Sequence, residues 1–443
     1  MTTQFGTTAL PASPLHPSEP QWRFITRLAF RFCFLYFGLY ILLTQMFPGM
    51  NPFGGIPILL TLPPVGPTVM WVIRNVFGDT RQLLMVGGSG DKMFDWVFVS
   101  CLMVFSLAIS LVWSAVDWKR PNYVTLHKWF RVYLRFGLAT TMLGYGMAKA
   151  IPLQMGEPSL TRLLEPYGNF SPMGVLWASI GASLPYERFA GGAELLASVL
   201  LFIPQTAMLG AFVALIDSIQ IFALNMTYDV PVKLFSFHLV LISTLLLAPD
   251  LKRLLDVFVF NRAAGPSTQP QLGASRGIAP LAAAVQILLG GYFMLTAYSG
   301  SIEQFNVRGA GAPRPPLYGV WVIERMTIDG IERAPLVTDH DRWRRVVIQN
   351  ATGISFWRMD DTAYTLPAQY DMEKNVVTIT RGTGDQQKTV GTLSLNRPAP
   401  ERLVLDGEVD GKKLHMETSL FPREKFLLVS RGFNWVQELP FNR

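Results

Sequence analysis

Long apolar stretches dominate the first three hundred residues, whereas the rest of the chain alternates short apolar segments with charged residues. A helix needs roughly 20 mostly apolar residues to cross about 30 Å of hydrocarbon. Segments 96–116 and 277–301 meet this requirement without any charged residue. Five further segments are similarly apolar but include a few polar side chains: 23–46, 129–152, 186–205, 207–226 and 232–250. The pattern therefore predicts seven membrane spans.

Two other apolar segments are predicted not to cross. Segment 54–73 contains four prolines, which interrupt helical hydrogen bonding, so we expect a re-entrant or interfacial loop. If it crossed, the topology would invert from that point on. Segment 170–185 has Trp177 among small residues and is predicted to lie along the membrane surface.

The pattern changes again after segment 309–316, which is rich in Gly and Pro and is predicted to be a linker. Beyond it, apolar residues alternate with polar ones in short runs separated by turn residues. The predicted strands are 318–328, 342–348, 353–359, 363–370, 376–381, 391–396, 402–408, 412–419 and 425–430. A run of this kind favours a closed up-and-down barrel, which leaves no strand edge exposed.

Charge is distributed unevenly between the two parts. The chain is 50% hydrophobic and 16% charged, with a formal net charge of +7. Residues 317–443 contain 17 basic and 17 acidic residues, so the excess lies in the membrane part. Basic residues beside spans indicate the cytoplasmic side, and no nucleic-acid partner is expected. With seven spans, the basic clusters at 23–31, 119–135 and 252–276 fall on that side.

The predicted topology places the N-terminus in the cytoplasm and the barrel in the periplasm or another extracytoplasmic space, across a bacterial inner membrane. The first residues lack a signal-peptide pattern. Cys33 and Cys101 both lie in predicted spans, so no disulfide framework is expected in the barrel.

Ionisable residues inside apolar spans are costly and usually face the bundle interior, so they are the strongest functional candidates. Glu194, Asp217 and His238 lie at similar depths in three successive predicted spans, seven or eight residues from the same side. Among the other candidates, Tyr145 lies at the same depth, Lys149 lies one turn shallower and Arg188 lies near the edge of its span.

We predict a proton-active pocket in which Glu194 or Asp217 takes up a proton and His238 bonds a carbonyl oxygen of the ligand, with Lys149, Arg188 and Tyr145 as further ligand-binding residues. A quinone ring is the expected type of ligand, although the sequence identifies no cofactor. The alternatives are a structural polar network in which Glu194 pairs with Lys149 or His238, and a proton or substrate pathway. The five histidines are too scattered to predict a metal site.

Residues 129–260 resemble the DoxX family of four-helix membrane proteins. The matching motifs are 131–138, 144–149, 188–196 and 207–215. This resemblance implies a bundle in which Lys149, Arg188 and Glu194 are family-type positions. The family includes a subunit associated with thiosulfate:quinone oxidoreductase, which implies a quinone-linked role and a redox partner subunit.

The start of the first strand, Gly319 to Trp321, resembles the Gly-x-Trp opening of lipocalin-type barrels. In that family the tryptophan closes the barrel bottom and a basic residue packs on it. This implies a similar role for Trp321, with Arg431 and Trp435 as its partners, and a hydrophobic ligand inside the barrel. The alternative is a barrel filled by its own side chains that serves as a lid or docking domain.

The predicted organisation is an α-helical membrane bundle followed by an all-β barrel. Its parts are a cytoplasmic tail (1–22), two spans with a Pro-rich loop (23–128), the DoxX-like bundle (129–260), a loop and last span (261–301), a linker (302–316) and the barrel (317–443). The expected function is quinone binding by a membrane protein, with enzymatic activity left open. The competing hypothesis is a non-enzymatic envelope protein whose barrel binds a hydrophobic ligand or partner.

Overall fold

A computed structural model describes residues 20–51, 57–267, 278–382 and 384–442. Most of the predicted N-terminal tail lies outside the described residues. The same holds for the beginning of the predicted loop at 54–73, for the basic residue Arg276 and for Gly277, where the last span was predicted to begin.

The described helices occur at every position where a span was predicted. They are α1 Phe24–Leu43, α2 Met46–Gly49, α3 Val65–Asn75, α4 Met93–Val116, α5 Val124–Ala150, α6 Leu160–Leu164, α7 Pro172–Gly181, α8 Leu184–Phe202, α9 Ala207–Thr227, α10 Lys233–Leu247, α11 Leu251–Phe258, α12 Ile278–Arg308 and α13 Leu427–Ser430. The 3-10 turn Ala248–Asp250 joins α10 to α11.

Five of these helical segments are long and apolar enough to cross a membrane: α1, α4, α9, α12 and the continuous stretch Lys233–Phe258. The remaining two predicted spans correspond to α5, with 27 residues, and α8, with 19. Both are long enough, but each carries several charged side chains that lower its apolar content. The structure therefore supports a multi-pass architecture, with five candidate spans by length and composition.

Within the described residues, neither of the two ambiguous segments forms a helix long enough to cross. Within 57–73 the chain makes a short 3-10 turn, Leu59–Thr61, and α3 begins only after Pro63 and Pro64. At 1.5 Å per residue, α3 with 11 residues and α7 with 10 each span about 15 Å, half of the hydrocarbon thickness. Pro63 and Pro64 precede α3, whereas Pro67 lies in its first turn, and the placement of this segment as a re-entrant or interfacial loop stays a prediction.

Helix α4 shows how the spans differ from helices of soluble proteins. The buried residues of its first half are apolar, but those of its second half are Ser106, Ser110 and Ser114 at four-residue intervals, whereas Val104 and Leu111 are 66% and 52% exposed. In water the apolar residues would be expected on the buried face. Small residues at helix contacts and apolar residues outside are typical of helices that face lipid.

The chain divides into two compact units. The helical unit contains the described residues within 1–141, 197–219 and 231–292, and the barrel unit contains those within 142–196, 220–230 and 293–443. In the helical unit, α1 and α3 both pack against α4.

A buried arginine connects several parts of the helical unit. Arg31 on α1 is 1% exposed and donates from Nη1 to Ser114 Oγ at 2.8 Å and from Nε to Tyr123 Oη at 2.9 Å. The Tyr123 hydroxyl donates in turn to Asp117 Oδ2 at 2.7 Å. Arg31 therefore joins α1 to α4 and to the residues that precede α5.

An antiparallel barrel occupies most of the barrel unit. Its strands are β1 Gly319–Ile328, β2 Ile331–Glu332, β3 Trp343–Ile348, β4 Gly353–Arg358, β5 Ala363–Asp371, β6 Val376–Arg381, β7 Lys388–Ala399, β8 Arg402–Val409 and β9 Lys412–Phe421. Strands β3 to β9 pair in sequence order, and β1 pairs with both β3 and β9. This closes eight strands, while the two-residue β2 only extends the turn after β1.

One predicted strand is wrong. Segment 425–430 forms the end of a 3-10 turn, Arg423–Lys425, followed by the short helix α13. The reason is barrel closure. Because β9 already pairs along most of its length with β1, from Leu414 opposite Ile328 to Phe421 opposite Val320, it offers no free edge to a further strand.

The barrel interior contains one continuous cluster of buried apolar side chains. Its largest members include Trp321 and Phe356, which have no measurable exposure, and Trp343, which is 7% exposed. The Trp321 indole donates to Leu317 O at 2.9 Å. The basic residue over its ring is Arg397 from β7, with Cζ 5.7 Å from the ring centroid.

The expected partners of Trp321 are therefore wrong. Arg431 lies over the ring of Phe441, and Trp435 is 91% exposed. A basic residue does pack on the tryptophan, as the lipocalin resemblance implied, but it comes from another strand.

Candidate functional site

Two glycines bring helices α5 and α8 into close contact in the barrel unit. A Cβ atom built on Gly191 would lie 2.5 Å from Ala150 N and 2.6 Å from Gly146 O. A Cβ on Gly146 would lie 3.0 Å from Gly191 O. Only residues without a side chain permit this approach, which is a known way for membrane helices to associate.

The close approach places Lys149 against Glu194. The lysine Nζ lies 2.7 Å from each carboxylate oxygen, and the two residues are 8% and 2% exposed. The ring of the half-buried Tyr145 lies with its centroid 5.8 Å from the same Nζ. The structure therefore brings three of the six predicted site residues together. The structural alternative named Lys149 and His238 as possible partners of Glu194, and the structure shows the pairing with Lys149.

Arg188 differs from these three residues because its side chain on α8 is exposed. It therefore lies where a basic residue at the edge of a span was expected. Asp217 is half-buried on α9 and belongs to the helical unit, as does His238. Convergence of all six residues in one pocket stays a prediction.

His238 on α10 is held by three contacts in the helical unit. Its Nδ1 lies 2.7 Å from Leu234 O and its Nε2 2.9 Å from the Tyr36 hydroxyl. Its ring stacks on Tyr40 with centroids 3.9 Å apart. Since a carbonyl oxygen only accepts, Nδ1 carries a proton and donates to Leu234 O, while Nε2 shares its hydrogen bond with the Tyr36 hydroxyl. These contacts fix the imidazole in place and leave neither nitrogen unoccupied.

Glu187 is a buried carboxylate that sequence reasoning missed as a functional position. It has no measurable exposure and accepts hydrogen bonds from Met155 N at 3.0 Å and Gly156 N at 3.2 Å. In the sequence it looks like an ordinary charge at the start of a span. Nothing local to position 187 indicates that its partner is the loop after α5.

That loop also contacts the barrel. Leu160 on α6 is buried in a cluster with Val320, Val347 and Trp357. Glu157 accepts a hydrogen bond from Arg423 Nη2 at 2.8 Å. Segment 155–164 is thus attached to α8 through Glu187 and to the barrel through Glu157 and Leu160.

Among the described residues, no group of three or more His, Cys, Asp or Glu side chains is arranged to hold a metal ion. The site consists of a buried lysine–carboxylate pair with an aromatic neighbour. Such a pair can donate to and accept from a polar head group in an apolar environment.

Apolar helices of membrane-spanning length are followed by a closed eight-stranded barrel. This architecture is compatible with a multi-pass membrane protein that carries a β-barrel domain. The chain is 33% identical over 129 residues to the Bacillus subtilis (strain 168) protein named Uncharacterized protein YwoB, a match that covers 29% of this chain and 79% of that protein. Over this part of its length the chain belongs to the family of that protein. No protein-family model and no solved structure matches the chain.

Proposed function

We propose that this chain is a seven-span inner-membrane protein that binds a quinone or a similar lipid-soluble redox partner beside the Lys149–Glu194 pair. Its N-terminus would lie in the cytoplasm, and the barrel would cover the site from the extracytoplasmic side. The observation that carries the proposal is the buried pair, with both carboxylate oxygens 2.7 Å from the ammonium nitrogen.

The contact between the barrel and segment 155–164 supports seven spans rather than five. If α5 and α8 did not cross, that segment and the barrel would lie on opposite sides of the membrane, separated by the three spans α9, α10–α11 and α12. Direct contact of Leu160 and Glu157 with the barrel requires the same side. With seven spans, α5 and α8 cross and the two regions share one compartment.

The chemistry of the pair suits a carbonyl ligand. An ammonium group has three N–H donors, of which two are directed at the oxygens of Glu194, so a third would serve a quinone carbonyl. The carboxylate would accept from the hydroxyl of the reduced form. The DoxX-like motifs at 144–149 and 188–196, which contain both residues, imply the same class of ligand.

Reduction of a bound quinone consumes two electrons and two protons. Glu194 would transfer protons, and the electrons would come from a partner redox subunit. The proposal for this chain is therefore binding and proton transfer, and any oxidoreductase activity belongs to the assembly.

The competing hypothesis assigns the ligand to the barrel. The inward-facing side chains of the barrel form one packed cluster that includes Trp321, Phe356 and Met416. This arrangement favours a barrel filled by its own side chains, and we therefore propose a capping role for it.

Titration of oxidised ubiquinone into the purified full-length protein tests the proposal. We expect the wild type to gain thermal stability on saturation and Glu194→Gln to lose this gain, whereas Glu303→Gln, an exposed carboxylate on α12, retains it. Infrared detection of carboxylate protonation, with Asp217→Asn for comparison, would show whether Asp217 shares the site. No stabilisation of the wild type at saturating quinone would refute the proposal.

A further inference from the structure

A cavity of about 520 Å³ lies within the helical unit, among the ends of several helices. Its walls come from the first turns of α5, the turn between α8 and α9, the end of α10, α11 and the beginning of α12. The volume is in the range of small-molecule sites. No residue named so far as part of the quinone site lines it.

Basic side chains dominate the charged lining. Lys128, Arg131, Arg135 and Arg253 face one acidic residue, Asp250. Arg253 Nη1 donates to Asp250 Oδ1 at 2.8 Å, so this pair is neutral. Among the described residues no carboxylate lies within ion-pair distance of the other three, and the cavity has a net positive charge.

Arg135 is the most informative of the three. It is 8% exposed, and its Nη2 donates to the Gln286 side chain. Its Nε has no hydrogen-bond partner among the residues that the structure describes. A buried guanidinium donor without an acceptor destabilises the folded protein, so an anionic oxygen in the cavity would stabilise the site.

Two helix N-termini add to the positive potential. Ala207 and Met208 in the first turn of α9 line the cavity, as does Ala279 in the first turn of α12. The N-terminus of a long helix carries about half a positive charge and favours anions. Val132 and Leu246 give the same cavity an apolar wall.

We propose that this cavity binds the phosphate group of an anionic membrane lipid. Inorganic phosphate has the same anionic oxygens, but it would leave most of the volume and the apolar wall unused. A phosphate with its glycerol and the beginning of an acyl chain matches both the charge and the lining. Basic pockets between membrane helices are suited to such head groups. The inference does not depend on the quinone proposal.

The test compares phosphatidylglycerol, phosphatidylcholine and inorganic phosphate on delipidated full-length protein, by thermal shift and native mass spectrometry. We expect phosphatidylglycerol to bind at least fivefold more tightly than phosphatidylcholine. Arg135→Gln and Lys128→Gln should each weaken phosphatidylglycerol binding at least threefold. Lys119→Gln removes the same charge from an exposed position outside the cavity and should have no effect.

Equal binding of the two lipids, or unchanged affinity in both cavity variants, would overturn the proposal. Inorganic phosphate that stabilises the protein as much as phosphatidylglycerol does would overturn the assignment to a lipid. If Arg135→Gln does not fold, the lipid affinity of Lys128→Gln tests the proposal. Lys128 is only half-buried, and its replacement leaves no buried charge unpaired.

Discussion

At the scale of single residues, the Lys149–Glu194 pair can be removed in two ways with different consequences. Loss of one partner leaves a buried charge uncompensated, which typically costs about 3–5 kcal/mol. Replacement of both by apolar residues of similar volume is often neutral or stabilising. We expect Glu194→Gln to lower the unfolding temperature strongly and the double variant Lys149→Met with Glu194→Leu to recover most of it.

Circular dichroism melts of the two variants and the wild type in detergent would measure this. Quinone binding provides the second readout, because the double variant should be stable yet unable to bind. A stable double variant that binds quinone like the wild type would assign the pair a purely structural role.

The barrel contains a histidine whose protonation is coupled to folding. The Asp406 carboxylate, 2.5 Å from Nδ1, raises the pKa of His415 above its ordinary value of 6.5, and Glu417 contributes in the same direction. A raised pKa stabilises the fold only while the imidazole is protonated. The contribution is therefore fully present below about pH 6.5 and is lost as the pH rises through the pKa of the folded state.

We expect the difference in unfolding temperature between the wild type and His415→Gln to shrink from pH 5.5 to pH 8.5. The effect should be modest, since the His415 side chain is 39% exposed and solvent screens the pair. Thermal melts at several pH values would measure it, with His340→Gln as a control on the same domain. If the difference in unfolding temperature instead grew with pH, the raised pKa of His415 would be contradicted.

Predictions about single residues succeeded where the cost of burying a charge alone determines which side chains must pair. An unpaired charge in an apolar span is expensive, so the pairing of Glu194 with Lys149 could be proposed as an alternative from their depth. The bonds of Glu187 to Met155 and Gly156 could not, because they depend on the path of a loop that carries no periodic pattern.

At the scale of elements, the contact between α5 and α8 depends on a glycine pair. Gly191→Ala would place a methyl group 2.5 Å from a backbone nitrogen of α5, which forces the helices apart and should destabilise the protein by roughly 1–3 kcal/mol. Gly192→Ala is a matched control, because nothing lies within 4 Å of its Cβ position. There, helix propensity predicts a gain of up to about 1 kcal/mol.

Unfolding temperatures of these neighbouring variants should therefore move in opposite directions. Quinone affinity should fall with Gly191→Ala alone, since only that change displaces Lys149 from Glu194. Equal effects of the two substitutions would show that the close approach of the helices does not control the pair.

The sequence predicted the strands of the barrel and the helices of the membrane part from different features. In the barrel, alternation with period two predicted eight strands to within a few residues, but it failed at 425–430, where the pairing of β9 with β1 is a long-range property. In the membrane part, length and apolar content located the helices. They could not decide whether α5 and α8 cross, since their charges lower the apolar content that identifies a span.

At the scale of the whole molecule, the membrane topology is limited by contacts between regions, because two regions in contact must lie on the same side of the membrane. Segment 155–164 is attached to the barrel by Leu160 and Glu157, and the seven-span proposal accordingly places both on one side of the membrane. We expect single cysteines at Tyr167, in the loop after α5, and at Glu373, on the barrel, to react with a membrane-impermeant maleimide from the same side. A cysteine at Lys119, between α4 and α5, should react only from the opposite side.

The labelling needs a background in which Cys33 and Cys101 are replaced by alanine, and the three positions are all exposed, so folding should be unaffected. Right-side-out and inverted vesicles then separate the two topologies. With seven spans, Tyr167→Cys follows Glu373→Cys in both preparations. With five spans, it follows Lys119→Cys, and the contact of the barrel with segment 155–164 could not form in the membrane.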